Sequence, residues 1–165
     1  VPALATFTFQ GYTLRPARQT DYELARAWTL ADPDHRDTTQ PDFWLDQKFA
    51  TESYLLLDKW GPVFFFKLVR DGGMKGGEAE IHIQFPPVPQ TGEARAEQNS
   101  RTINALIQGM TWIERILSLR LVSALFFTSR NPGLIRFCVK RLGFVREGER
   151  LVRRIEAMEP ARRGG

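Results

Sequence analysis

The sequence predicts an α+β fold of mixed α/β layers, one domain over residues 1–165 with 1–5 and 159–165 as flexible ends. Three observations carry that expectation. Extended and helical periods alternate along the whole chain with no Pro/Gly/Ser-rich linker between them. Three strand-like segments run consecutively from residue 53 to residue 85. A long amphipathic helix then leads into an apolar strand, followed by a helix bracketed by Asn131-Pro132-Gly133 and Gly143-Phe144. The order that these signals give is β-α-α-β-β-β-α-β-α-β-β.

TFTFQGYTLRPA (6–17) mixes β-branched and aromatic residues in near alternation, which reads as a first strand. Thr20-Asp21-Tyr22-Glu23 has the S/T-x-x-E spacing of a capping box, so a helix should start there and stop near Asp32-Pro33. DPDHRDTTQ (32–40) is a polar loop, and Pro41-Asp42 opens a second short helix, PDFWLDQKF. From Ser53 the period becomes extended. Residues 53–60 and 63–70 read as a hairpin around Gly61-Pro62, and EAEIHIQF (78–85) as the next strand. Its alternation puts Glu78, Glu80, His82 and Gln84 on one face. DGGMKGG (71–77) lacks the G-x-x-x-x-G-K-[ST] spacing of a nucleotide P-loop.

A polar connection leads to a helix over 101–119, with Ile103, Leu106, Ile107, Met110, Ile113 and Leu117 on one stripe. Residues 121–129 read as a buried strand, and 145–158 as two closing strands.

Composition excludes several functions. Apolar residues are 42% and charged residues 25% of the 165, ordinary values for a globular protein. No apolar run approaches the roughly 20 residues of a membrane span. The start lacks the basic and apolar regions of a secretory signal, and Cys138 is the one cysteine, so a reducing cytoplasm is expected. One Cys and two His offer no zinc spacing, and no metal is expected. The net charge is +4, concentrated in residues 136–165, which hold nine basic against four acidic residues. That excess is too small to decide a function; binding of nucleic acid or an acidic partner stays as a rival reading, which predicts affinity falling steeply with salt.

Two stretches have chemical potential. The start of the 101–119 helix, Gln98-Asn99-Ser100-Arg101-Thr102-Ile103-Asn104, offers first-turn amides where anions bind; the same pattern also suits a plain helix start capped by Asn99 or Ser100. Ala79-Glu80-Ile81-His82 carries two proton acceptors on one strand face; the same pattern also suits a solvent-facing polar stripe.

The element order, with these residues, resembles the GNAT superfamily of N-acetyltransferases over roughly residues 8 to 158. In that family a Q/R-x-x-G-x-G/A segment opens the helix after the fourth strand and holds the acetyl-CoA pyrophosphate. Gln98 matches the Q/R, while Arg101 and Ile103 stand where glycines are usual. The family's next helix commonly begins with Asn and ends in Gly-Phe, as Asn131 and Gly143-Phe144 do here.

The resemblance implies a mostly antiparallel mixed sheet whose fourth and fifth strands splay apart to admit the pantetheine arm of acetyl-CoA. It implies cofactor contacts at Ile83, Gln84 and Phe85 on the strand edge, at Gln98, Asn99, Ser100, Arg101, Thr102, Ile103 and Asn104 for the pyrophosphate, and at Asn131. It implies that Glu80 or His82 deprotonates a small-molecule or peptide amine, which attacks the acetyl carbonyl directly. A homodimer stays open, since dimers are common in the family. Many members place a Tyr in the last helix to protonate the departing thiolate. Here the matching positions hold Cys138 and Val139, and Tyr12, Tyr22 and Tyr54 lie elsewhere. That departure and the missing glycines support an alternative, a non-catalytic binding or assembly module. His35 is expected on the rim that shapes substrate entry, or to have no role.

Overall fold

The computed structural model describes residues 6–33, 35, 41–45, 50–70, 77–89 and 91–155. The elements are β1 (Phe7–Phe9), β2 (Tyr12–Pro16), α1 (Gln19–Ala31), a 3-10 helix (Pro41–Leu45), β3 (Ala50–Asp58), β4 (Gly61–Arg70), β5 (Glu78–Gln84), α2 (Gly92–Leu119), β6 (Ala124–Thr128), α3 (Pro132–Arg141), β7 (Val145–Glu147) and β8 (Arg150–Arg154). All eight strands form one mixed sheet in the order β1-β2-β3-β4-β5-β6-β8-β7. Among the described residues only β5 and β6 pair in parallel, as expected where a helix makes the crossover between them.

Both faces of the sheet centre are covered. On one side Leu56, Phe64, Phe66 and Leu68 pack with Met110, Ile113 and Leu117 of α2. On the other, Leu55 and Phe65 pack with Ala25 and Trp28 of α1 and with Trp44. This explains the run Phe64-Phe65-Phe66: alternate side chains enter two different cores, and all three are fully buried. Gly109 lets α2 approach closely, because a Cβ there would lie 3.3 Å from Phe64 Cζ.

Several local expectations change. The first strand is two strands, folded at Gln10-Gly11, where both residues are left-handed (φ 49° and 84°). Two successive positive φ values suit a tight hairpin turn, and Gly11 supplies one without strain. The β3–β4 turn lies at Lys59-Trp60, not Gly61-Pro62; Asp58 stabilises it by accepting from the Trp60 amide at 2.9 Å. Thr20 and Glu23 do not form the box at the start of α1. Asp21 does that work, accepting from the Arg18 amide at 2.8 Å while the Arg15 guanidinium binds both its oxygens. A carboxylate one residue on from Thr20 wins because Arg15 fixes it in place.

The largest difference is α2. It starts at Gly92, nine residues before the expected helix start, and runs 28 residues. In the expected apolar stripe Leu106, Met110, Ile113 and Leu117 are buried, but Ile103 and Ile107 are exposed. Ala105, Trp112 and Ile116 fill the core instead. The second helix is a short 3-10 turn; residues 46–49, within its expected span, lie outside the described residues, as do 34, 36–40 and 71–76.

Candidate active site

The site begins where one ladder stops. β5 and β6 pair only at Glu78↔Ala124, Ala79↔Leu125 and Glu80↔Phe126. Beyond that, β5 continues to Gln84 and β6 to Thr128 without pairing to each other. The gap opens into a cleft of about 1540 Å³. Its inner wall is apolar, with Ile81 and Ile83 of β5, Met110 of α2, Phe127, and Leu134 and Ile135 of α3. Ile83, beyond the last β5–β6 pair, and Phe85, just past the end of β5, both line it.

His82 lies at the start of the split. Its Nε2 is 2.9 Å from Glu80 Oε1, two residues back on the same strand face. Hydrogen bonding from His82 holds the Glu80 carboxyl below its usual range, against a smaller desolvation penalty. Glu80 is therefore an ionised acceptor, and it fixes the Nε2–H tautomer of neutral His82. The Nδ1 lone pair is then the basic atom of the pair. His82 lines the cleft and Glu80 does not. The imidazole and the Phe43 ring meet edge to face with centroids 4.8 Å apart, and Lys67, the cross-strand partner of His82, donates to the Phe43 carbonyl at 2.8 Å. Lys67 is buried, and its ammonium also lies 4.0 Å from the Phe43 ring centre. The 3-10 helix is thus clamped against His82.

Gln84 is fully buried on the α1 side of β5, and both ends of its amide are engaged. Its Nε2 donates to Asp32 Oδ2 and to the Phe85 carbonyl, both at 2.9 Å. Its Oε1 is 2.9 Å from the Thr29 hydroxyl and 3.0 Å from His35 Nδ1. The edge carbonyl of Phe85 is therefore already held from within the strand.

Residues 98–104 do not provide first-turn amides. They sit inside α2, where backbone donors belong to the helix ladder, and none lines the cleft. Gln98 donates to the Pro87 carbonyl at 3.0 Å, and the Thr102 hydroxyl to the Gln98 carbonyl at 3.0 Å. Arg101 makes two 2.8 Å bonds to Asp58. Asn99, Ser100, Ile103 and Asn104 are exposed. The glycine-free segment continues as helix because nothing in it interrupts one.

Asn131 behaves as helix grammar: its Oδ1 accepts from the amides of Gly133 (3.0 Å) and Leu134 (3.2 Å) at the head of α3, on the cleft wall. Gly143 is left-handed (φ 71°) and Phe144 packs back into the core against Phe127. Cys138 is buried, and burial pushes its thiol up to about 12, which makes it a poor acid for a thiolate of ordinary basicity.

Among the cleft residues that sequence reasoning missed are Asp32, Phe43, Arg130, Arg136, Arg146 and Glu149. Arg130 lies just before α3 and Arg136 in its second turn, and neither has an ion-pair partner among the described residues. Isolated arginines outside any motif carry no signal in a single sequence.

No family model matches the sequence, and no curated protein matches it. Solved structures do match in fold. Spermidine N-acetyltransferase from Vibrio cholerae, in complex with CoA and spermine, superposes with a TM-score of 0.61 at 13% identity, covering 90% of this chain and 98% of that one. The aminoglycoside acetyltransferase AAC(6')-Ib, in complex with paromomycin and acetyl-CoA, gives 0.64 at 16%, covering 93% and 98%. The chain has the GNAT fold. A putative phosphinothricin N-acetyltransferase matches the same way, at 0.61 and 16% identity over 88% and 99%. The β5–β6 split is thus the splay expected of the GNAT fold, while the long α2 start departs from the glycine-bearing loop expected before that helix.

Proposed function

We propose that this protein is an acetyl-CoA-dependent N-acetyltransferase acting on an amine by direct attack in a ternary complex. The observation that carries the reading is His82, oriented by ionised Glu80, placed where β5 leaves β6 and the cleft opens. An amine is mostly protonated at neutral pH and has no lone pair with which to attack. In this reading His82 Nδ1 takes that proton, and the freed nitrogen forms the new C–N bond at the thioester carbonyl. The C–S bond then breaks with its electron pair on sulfur. A thiolate with a conjugate acid near pKa 8.5 leaves without a dedicated acid, which fits the lack of a Tyr in α3. Glu80 is a positioning residue, since it acts through His82.

The apolar gap beside Ile83 suits a pantetheine arm, and Arg130 and Arg136 supply positive charge for the phosphates. The neighbours bound to CoA or acetyl-CoA support this use of the cleft. The buried state of Cys138 fits the reducing cytoplasm that we propose as its location.

The test is amine-dependent release of CoA thiol from acetyl-CoA. The reading expects release in the wild type and a fall of roughly 10²- to 10⁴-fold in kcat for His82→Ala. Equal rates in the two proteins would overturn the role of His82. A second reading, a non-catalytic binding module, is favoured by one observation: residues 98–104 lie within α2 and lack open first-turn amides. It predicts no thiol release with any amine.

A further inference from the structure

The two ends of the cleft differ in charge. Arg130, Arg136 and Arg146, with Glu149, line it on the side of α3 and β7, whereas Asp32 and His35 line it from the end of α1. Asp32 is the last-turn neighbour of α1, yet its position is fixed from the sheet. Its Oδ2 receives hydrogen bonds from Gln84 Nε2 at 2.9 Å and from His35 Nδ1 at 3.0 Å. Both neighbours of Nδ1 are acceptors, the Asp32 oxygen and Gln84 Oε1, so the proton of His35 sits on Nδ1. Gln84 is held in turn through Thr29, whose hydroxyl accepts from Trp44 Nε1 at 2.6 Å. A buried amide with both ends engaged, tied to α1 and the 3-10 helix, is a rigid support for a carboxylate that remains 21% exposed.

We propose that Asp32 is the recognition point for a second positive charge on the acceptor amine, with Gln84 as the positioning residue that holds it. The inference rests on the acetyltransferase reading. Gln84 and His82 are two residues apart on one strand face, about 7 Å. Because Asp32 is hydrogen-bonded to Gln84, an acceptor with about five carbons between its nitrogens is of the right order to present one to His82 and the other to Asp32. The ammonium of Lys67 does not compete for that place, because it is buried beneath Phe43 and does not line the cleft. Charge complementarity also sets the direction of loading, with the anionic co-substrate toward the arginines and the cationic acceptor toward Asp32.

The test is calorimetric titration of cadaverine, pentylamine and 6-aminohexanoate, with and without CoA, into the wild type, Asp32→Asn and Gln84→Met. These probes share a five-carbon chain and differ in the charge at its far end. The expected result is cadaverine binding at least about tenfold tighter than 6-aminohexanoate, with pentylamine between them. Asp32→Asn should remove most of that difference. Titrated alongside them, the double variant Asp32→Asn/Gln84→Met should lose no more than Asp32→Asn alone, because Gln84 acts through Asp32. If Gln84→Met does not fold, Asp32→Asn, an isosteric change, still decides. Equal binding of the three probes, an unchanged ranking in Asp32→Asn, or no binding at all overturns the proposal. The ranking without thiol release would sink the acetyltransferase reading and keep this site. Thiol release without the ranking would do the reverse.

Discussion

At the scale of single residues, the proposed reaction divides one task between Glu80 and His82. His82 faces the cleft and Glu80 sets its tautomer. Glu80→Gln should therefore lower kcat by less than His82→Ala, roughly tenfold, and leave KM for acetyl-CoA unchanged; steady-state kinetics on both variants checks this. A larger loss in Glu80→Gln than in His82→Ala would make Glu80 the base. Cys138 tests the other end of the reaction. Its buried thiol, raised to about 12, should not react with a thiol reagent until urea unfolds the chain. The stripe of Glu80 and His82 was legible from alternation alone. Which of the two meets the cleft was not, because that depends on where β6 stops pairing, a contact 46 residues away in sequence at Phe126.

At the scale of elements, α3 and α2 make opposite cases. Both ends of α3 were written locally, in Asn131 and in Gly143-Phe144. Asn131→Ala should cost about 1 kcal/mol by urea unfolding, since two amides lose their acceptor. Gly143→Ala should cost roughly 1–2 kcal/mol, because it forces a side chain into a left-handed residue and against Arg153 Nη1, 2.9 Å away. The start of α2 was not legible. Gly92 to Glu97 are exposed, so no apolar period marks that turn and a half, and the polar composition reads as a loop. Amide exchange decides between the two descriptions. Amides 99–104 should be protected in α2, whereas a loop ending at Ser100 would leave its own amides and the first turn after it to exchange quickly.

At the scale of the whole molecule, stability should fall off at both ends of the pH range. Burial pushes the Asp58 carboxyl up, but the Arg101 guanidinium and the Trp60 amide outweigh it and hold it low; Glu80 is also held low. Carboxyls with depressed folded values stabilise above the unfolded value, and that contribution is lost as pH falls through the folded ones, so unfolding should ease below about pH 4. Cys138 acts with the opposite sign. Its raised value favours the folded state below the unfolded value near 8.5, and that advantage declines as pH rises toward about 12. The urea midpoint should drop from pH 7 to pH 10, and drop less in Cys138→Ala. The layer order was readable because hydrophobic period and crossover length set it, while the splayed pair of strands came only from the family resemblance; the fixed pair Gln84 and Asp32 was not readable, since it joins two segments 52 residues apart. The central claim is that the split between β5 and β6 holds acetyl-CoA, and the melting temperature with and without that ligand tests it most directly. Ligand at about 100 times its dissociation constant adds roughly 2.7 kcal/mol, a rise of roughly 5–10 °C for a chain of this size. The account predicts that rise with acetyl-CoA and with CoA, and none with ATP. No rise at millimolar acetyl-CoA, or an equal one with ATP, would contradict it.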